Sequence, residues 1–242
     1  MTIPIQEKLI QRQIHNWNSL RRYLQDTRDQ RASQPAPVIT VSRQAGSGGR
    51  TLARTLAARL DLEFQGKSLI SRIAEDTQLE ESIITELDEK AVNQANLWVA
   101  GLLNQRIFLK DQYHKALARV VTALAARGGV VFLGRGAHLI LGENATLRLR
   151  VVAPVSLRAK RIQDRLRISR AEARAVLEEI DRNRGEFIRQ VFREEPGQPH
   201  NFDLILNAER LSVENMVEIS LLALLSRQAA SRGPLQTHTS QA

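Results

Sequence analysis

Residues 38–60 limit the fold more than any other stretch of the chain. Val38-Ile39-Thr40-Val41-Ser42 is a short β-branched run that reads as a buried strand. It passes directly into Gly46-Ser47-Gly48-Gly49-Arg50-Thr51, and Thr51 to Leu60 then repeats its apolar positions with helical spacing. A strand, a glycine-rich turn and a helix in this order bring bare backbone N–H groups and the positive end of a helix dipole to one point. Such a point binds anions, and phosphate is the expected ligand.

Four more short strands are expected at 62–64, 130–133, 147–152 and 203–207, each separated from the next by enough chain for a crossover. This pattern predicts an α/β fold with a five-stranded parallel sheet and helices on both faces. Between Glu80 and Arg127 the sequence has only helical periodicity, closed by Gly128-Gly129, which predicts a helical insertion. A last helix is expected over Leu211–Leu225. Residues 1–31 read as an amphipathic helix packed on the main domain, and Ala32 to Pro37 as a linker, so 1–37 is an N-terminal extension. Residues 38–228 then form one domain, consistent with 242 residues that are 43% hydrophobic, and 229–242 a disordered tail.

The chain has no cysteine, and its five histidines are scattered without ligand spacing, so metal chemistry here would be magnesium on phosphate. The N-terminus lacks the apolar core of a secretory signal and the apolar runs are too short to span a bilayer, so a soluble, cytoplasmic protein is expected. The net charge of +9, carried by 29 Arg against six Lys, points to an anionic partner, either nucleotide or nucleic acid. A GC-rich genome would account equally well for Arg over Lys. With ten aromatics and no stacking cluster near the Arg-rich region, nucleic acid is the weaker expectation.

Against the phosphate-loop pattern G-x-x-x-x-G-K-[ST], with Gly48 as the second glycine, Arg43 stands at the first glycine, Gly49 at the lysine and Arg50 at the Ser/Thr. The missing positive charge comes from Arg43 or Arg50 or is absent altogether, and a magnesium-binding hydroxyl would come from Ser47 or Thr51, neither of which is at the pattern's position.

The stretch Ser42-Arg43-Gln44-Ala45-Gly46-Ser47-Gly48-Gly49-Arg50 resembles the S-R-x-x-G-S-G-G-R loop of the cytidylate kinase-like family, a branch of the P-loop nucleoside monophosphate kinases. The likeness runs from about 38 to 215 and implies a P-loop kinase fold with an Arg-rich lid, using ATP and Mg²⁺. Arg43, Gly46, Ser47, Gly48, Gly49, Arg50 and Thr51 would then hold the donor. Phe64 to Arg72 is similar to an acceptor-facing segment, with Arg72 matching its Arg and Gly66 replacing its Asp; it reads equally as a strand-to-helix connection with an exposed Arg. Gly134-Arg135-Gly136 is similar to the family's Gly-Arg-Asp, so Arg135 would face the monophosphate, with Gly136 in place of the Asp. Ala153 to Arg161 looks like the start of the lid, which makes Arg158 and Arg161, with Arg50, the expected catalytic cations. Asp181 and Arg184, three apart on one helix face, would hold the acceptor sugar and phosphate.

The expected function is ATP-dependent phosphoryl transfer to a nucleoside monophosphate, CMP or dCMP above all. The alternative is a regulatory protein that binds nucleotide without turnover, suggested by the departures at Gly49, Gly66 and Gly136. Trp98 is expected in the core of the insertion, His138 as a partly buried helix histidine, and Asn207 as a group that satisfies backbone near the donor adenine.

Overall fold

The computed structural model describes residues 36–77 and 103–230. The chain divides into units Met1–Pro35 and Ala36–Ala242. The expected N-terminal helix, residues 80–102 of the insertion with Trp98, and the tail from 231 lie outside the described residues.

Five strands form one sheet: β1 (Val38–Arg43), β2 (Glu63–Gln65), β3 (Val130–Leu133), β4 (Leu147–Val152) and β5 (Leu204–Asn207). Their spatial order is β2-β3-β1-β4-β5 and every pairing is parallel. The helices are α1 (Gly49–Leu60), α2 (Ser68–Thr77), α3 (Leu103–Arg127), α4 (Ala137–Leu141), α5 (Val155–Leu166), α6 (Arg170–Phe192) and α7 (Val213–Ala230).

The strand period of two divides the apolar residues between two cores. Ile39, Val41, Val131 and Leu133 face Leu52 and Leu56 of α1 and Val217, Leu221 and Leu224 of α7. Val38, Val130 and Phe132 face Leu69 and Ile73 of α2, Tyr113, Leu117 and Val121 of α3, and Leu141 of α4. Both faces of the sheet are thus covered, as the β-branched runs required.

A third apolar cluster joins α5 and α6 to the phosphate loop. Ala159 and Ile162 of α5 and Ala173 and Leu177 of α6 pack with Ala45. Helix α6 starts at a reciprocal cap: the Glu172 N–H donates to Ser169 Oγ at 3.2 Å and the Ser169 N–H donates to Glu172 Oε2 at 2.7 Å. The chain runs outward from β1 to β2, returns to β3, then crosses to β4 on the other side, so a crevice opens at the carboxyl ends of β1, β3 and β4.

Candidate functional site

The loop after β1 is held in shape by groups remote in sequence. The Ser47 N–H donates to the Gln44 carbonyl at 3.3 Å, and the Ser47 hydroxyl, fully buried, donates to the same oxygen at 2.9 Å. Gly46 has φ +71°, and a Cβ there would stand 2.7 Å from the Arg158 carbonyl oxygen, so this turn of the loop requires glycine. Gly48 caps α1, and the loop therefore lies on the helix N-terminus.

Arg158 and Arg161 lie against this loop from α5. Arg158, 5% exposed, donates from Nε to the Ala153 carbonyl at 2.9 Å and from Nη1 to the Ala45 carbonyl at 3.2 Å and to Asp181 Oδ2 at 2.5 Å. Asp181 Oδ1 accepts the Ala45 N–H at 2.7 Å. Arg161 donates from Nη1 to the Ser47 carbonyl at 3.0 Å and from Nη2 to the Ala208 carbonyl at 3.2 Å. These two arginines, expected as lid residues over the phosphates, thus bond the loop's own backbone. Asp181, expected at the acceptor sugar, bonds the loop and α5 together, with Arg184 Nη1 at 3.9 Å from its Oδ1. Arg184 also donates from Nη1 to the Arg43 carbonyl at 3.5 Å.

The crevice beside the loop has a volume of about 960 Å³. Eight basic residues line it (Arg43, Arg50, Lys67, Arg135, Arg150, Arg182, Arg184 and Arg189) against two acidic ones, Glu179 and Asp181. Low-dielectric walls carrying one sign of charge focus field on an anionic ligand. Arg135 lines the crevice, donating from Nη1 to the Gly66 carbonyl at 2.7 Å. Arg72 does not line the crevice: its Nη2 meets Glu63 Oε1 at 2.5 Å beside edge strand β2, and Gly66, Lys67 and Ile70 form this corner of the wall. The exposed Glu63 carboxylate, five residues before α2, holds its guanidinium. At the Gly136 position a Cβ would collide with the Phe192 ring, so aromatic carbon fills the place beside this turn.

Four crevice cations, Lys67, Arg150, Arg182 and Arg189, were not among the expected site residues. Arg150 had a readable signal. It lies in β4, between β1 and β5, where a parallel sheet covered on both faces demands apolar residues. Its guanidinium donates to Ser42 Oγ at 3.1 Å and stands 5.4 Å from the centroid of the Phe202 ring. Burial lowers the Arg150 pKa from its ordinary value, against a raising effect of Asp181. His138 stacks on the other neighbour of this group, with its ring 4.7 Å from that of Phe202. Burial first, then Arg150 and Arg148, push the His138 pKa down to about 4, so the imidazole is neutral at neutral pH. The other β4 arginine, Arg148, points the opposite way in function: it is tied to Asp203 at 3.0 Å, and Arg227 reaches the same carboxylate at 2.6 Å. That pairing fastens α7 to the strand pair β4–β5.

The loop suits a nucleotide polyphosphate, since it offers N–H groups at a helix N-terminus with Arg43 and Arg50 beside it. For magnesium, the Ser47 hydroxyl is buried and bonded to Gln44, whereas Thr51 is exposed on the first turn of α1. Thr51 is the available side-chain oxygen of the pair. Asn207 Oδ1 accepts the Glu209 N–H at 3.0 Å and thus satisfies local backbone. Among the described residues no helix is long and apolar enough to cross a membrane.

Residues 38–210 match the model of the cytidylate kinase-like family. A cytidylate kinase of Natronomonas pharaonis is 30% identical over 181 residues, 74% of this chain and 84% of that protein. A 96-residue stretch, 39% of this chain, is 31% identical to a uronate isomerase of Corynebacterium glutamicum but spans only 18% of that protein. In fold, the chain is similar to the crystal structure of an uncharacterized protein from Eubacterium ventriosum, with a TM-score of 0.61, 16% identity, and coverage of 79% of this chain and 99% of the other.

Proposed function

The chain belongs to the cytidylate kinase-like family, and on that premise we propose that it transfers the γ-phosphoryl group of ATP to a nucleoside monophosphate, with CMP and dCMP the first acceptors to test. The observation that carries this reading is the crevice with eight basic and two acidic residues, opening beside a glycine-rich loop at the start of α1. A donor triphosphate and an acceptor monophosphate meeting in one site bring several negative charges into a small volume, and eight cations offset them.

In the reaction an acceptor phosphate oxygen forms a new bond to the γ-phosphorus while the bond to the β,γ-bridging oxygen breaks, and ADP leaves with the electron pair. The acceptor oxygen is already anionic, so no general base is needed. ATP–Mg²⁺ supplies the phosphoryl group and a divalent charge, with Thr51 the hydroxyl nearest in kind to a ligand. The protein's task is alignment and charge stabilisation. Loop N–H groups from Gly46 to Thr51 hold the donor phosphates. Arg135 and Arg184 hold the acceptor phosphate, with Lys67 and Arg150 deepening the field. Arg158, Arg161 and Asp181 act on the transfer by keeping the loop in its binding shape. With the α5–α6 pair over the loop, water is kept from the reacting phosphate.

A second reading, nucleotide binding without turnover, is favoured by one observation: Ser47, the loop's buried hydroxyl, is spent on the Gln44 carbonyl. The deciding experiment follows labelled γ-phosphate from ATP–Mg²⁺ to CMP, dCMP, UMP, AMP and GMP. Label on a nucleoside monophosphate establishes the kinase. ATP bound with no label moved to any acceptor supports the second reading instead.

A further inference from the structure

Besides fold and acceptor, the site poses one question of its own: what replaces the lysine missing at Gly49. We infer that Arg43 is the replacement, and that its guanidinium is the cation on the transferring phosphoryl group; this rests on the phosphoryl-transfer reading above.

The observations lie in two glycines and one carbonyl. A Cβ at Gly49 would stand 2.6 Å from Arg43 Cβ and 3.2 Å from its Cγ. A Cβ at Gly134, where φ is +80°, would collide with Arg43 Nη1 and stand 2.9 Å from its Cζ. The stem of Arg43 therefore passes under the first turn of α1 and its head lies on the turn after β3. Glycine at 49 thus has a spatial reason: the side chain removed there leaves the passage that the Arg43 stem fills. The Arg43 carbonyl accepts Arg184 Nη1 at 3.5 Å, which links the donor side of the crevice to an acceptor-side cation.

A cation joining donor loop to acceptor turn stands where charge develops as the phosphoryl group moves between them. Its rival is Arg50, which also lines the crevice but is exposed on the first turn of α1. An exposed long side chain must be ordered at the moment of reaction, whereas one confined between two glycines is already ordered. Arg158 and Arg161 are not among the residues that line the crevice.

The test uses the full chain and four variants: Arg43→Met, Arg43→Lys, Arg50→Met and Gly134→Ala. Single-turnover transfer and calorimetric binding of Mg²⁺–tripolyphosphate are read for each, with melting temperature as the folding check. Arg43→Met is expected to slow transfer by about 10²–10³, the usual cost of one preorganised electrostatic donor, and Arg50→Met by less than about tenfold. Arg43→Lys should recover at least about tenfold over Arg43→Met, because charge rather than shape is being replaced. Gly134→Ala, if folded, should repeat the Arg43→Met loss by displacing the guanidinium. A larger loss in Arg50→Met than in Arg43→Met overturns the inference. If the parent chain moves phosphate to no acceptor, the kinase reading fails, and Arg43 is then judged by binding alone. Tripolyphosphate affinity must fall at least about tenfold more in Arg43→Met than in Arg50→Met, and equal losses, or no binding by the parent, refute the assignment.

Discussion

Replacing Asp181 with Ala separates two roles that predict different losses. In the structure its two oxygens accept the Ala45 N–H at 2.7 Å and Arg158 Nη1 at 2.5 Å. Arg158 is 5% exposed, so the variant leaves a buried guanidinium without its carboxylate and a loop N–H without its acceptor. Breaking a buried pair by removing one partner costs about 3–5 kcal/mol. The Asp181 side chain is 28% exposed, so water reaches part of the pair, and about 2–3 kcal/mol is the fitting range. For a domain of this size each kcal/mol moves the melting temperature by about 2–4 °C, which gives a fall of about 4–12 °C. Because the other carboxylate oxygen, Oδ1, holds Ala45 next to Gly46, ATP affinity should drop with stability. Thermal unfolding by circular dichroism and calorimetric titration with ATP–Mg²⁺ measure the two. If Asp181 served only as an acceptor ligand, the variant would raise the acceptor KM while melting within about 1 °C of the parent and binding ATP unchanged. That pattern would refute the loop-holding role.

Arg184→Ala removes a crevice cation from the acceptor side and should raise the acceptor KM or lower kcat by about 10–100-fold, the range for a lost hydrogen bond to a charged group, with the fold intact; unaltered steady-state kinetics would remove Arg184 from the site. His138 makes stability depend on pH. Its pKa lies near 4 when folded against 6.5 ordinarily, so the unfolded chain takes up a proton below pH 6.5 while the native imidazole stays neutral. Stability from this group is complete above pH 6.5 and is lost as the pH falls toward 4, by about 3 kcal/mol at 1.36 kcal/mol per pH unit. Chemical denaturation between pH 7 and 4 should show the loss, and His138→Gln should flatten the slope in that window; an identical slope in the variant would assign the loss to other groups.

Much of the molecule was legible from local pattern. The strands at 130–133 and 147–152 occur at the positions their apolar runs mark, and the loop, α1 and the stop at Gly128-Gly129 follow from glycine placement and helical period. These features depend on backbone sterics and on which face of an element is apolar, and both are carried by neighbouring residues. The family followed from one unbroken stretch, Ser42 to Arg50, because a phosphate loop is a contiguous piece of backbone. The partners of the long cations were not legible. Arg72 turned to Glu63, Arg158 to Ala45 and Asp181, and Arg150 to Ser42 and the Phe202 ring. An arginine side chain reaches several ångströms in many directions, and its resting place depends on which carboxylates and carbonyls the fold delivers. Arg158 and Ala45 are 113 residues apart, and Asp181 and Ala45 136. No local spacing encodes such a meeting; it exists once the sheet order has brought β1 and β4 together and α5 and α6 over the loop between them.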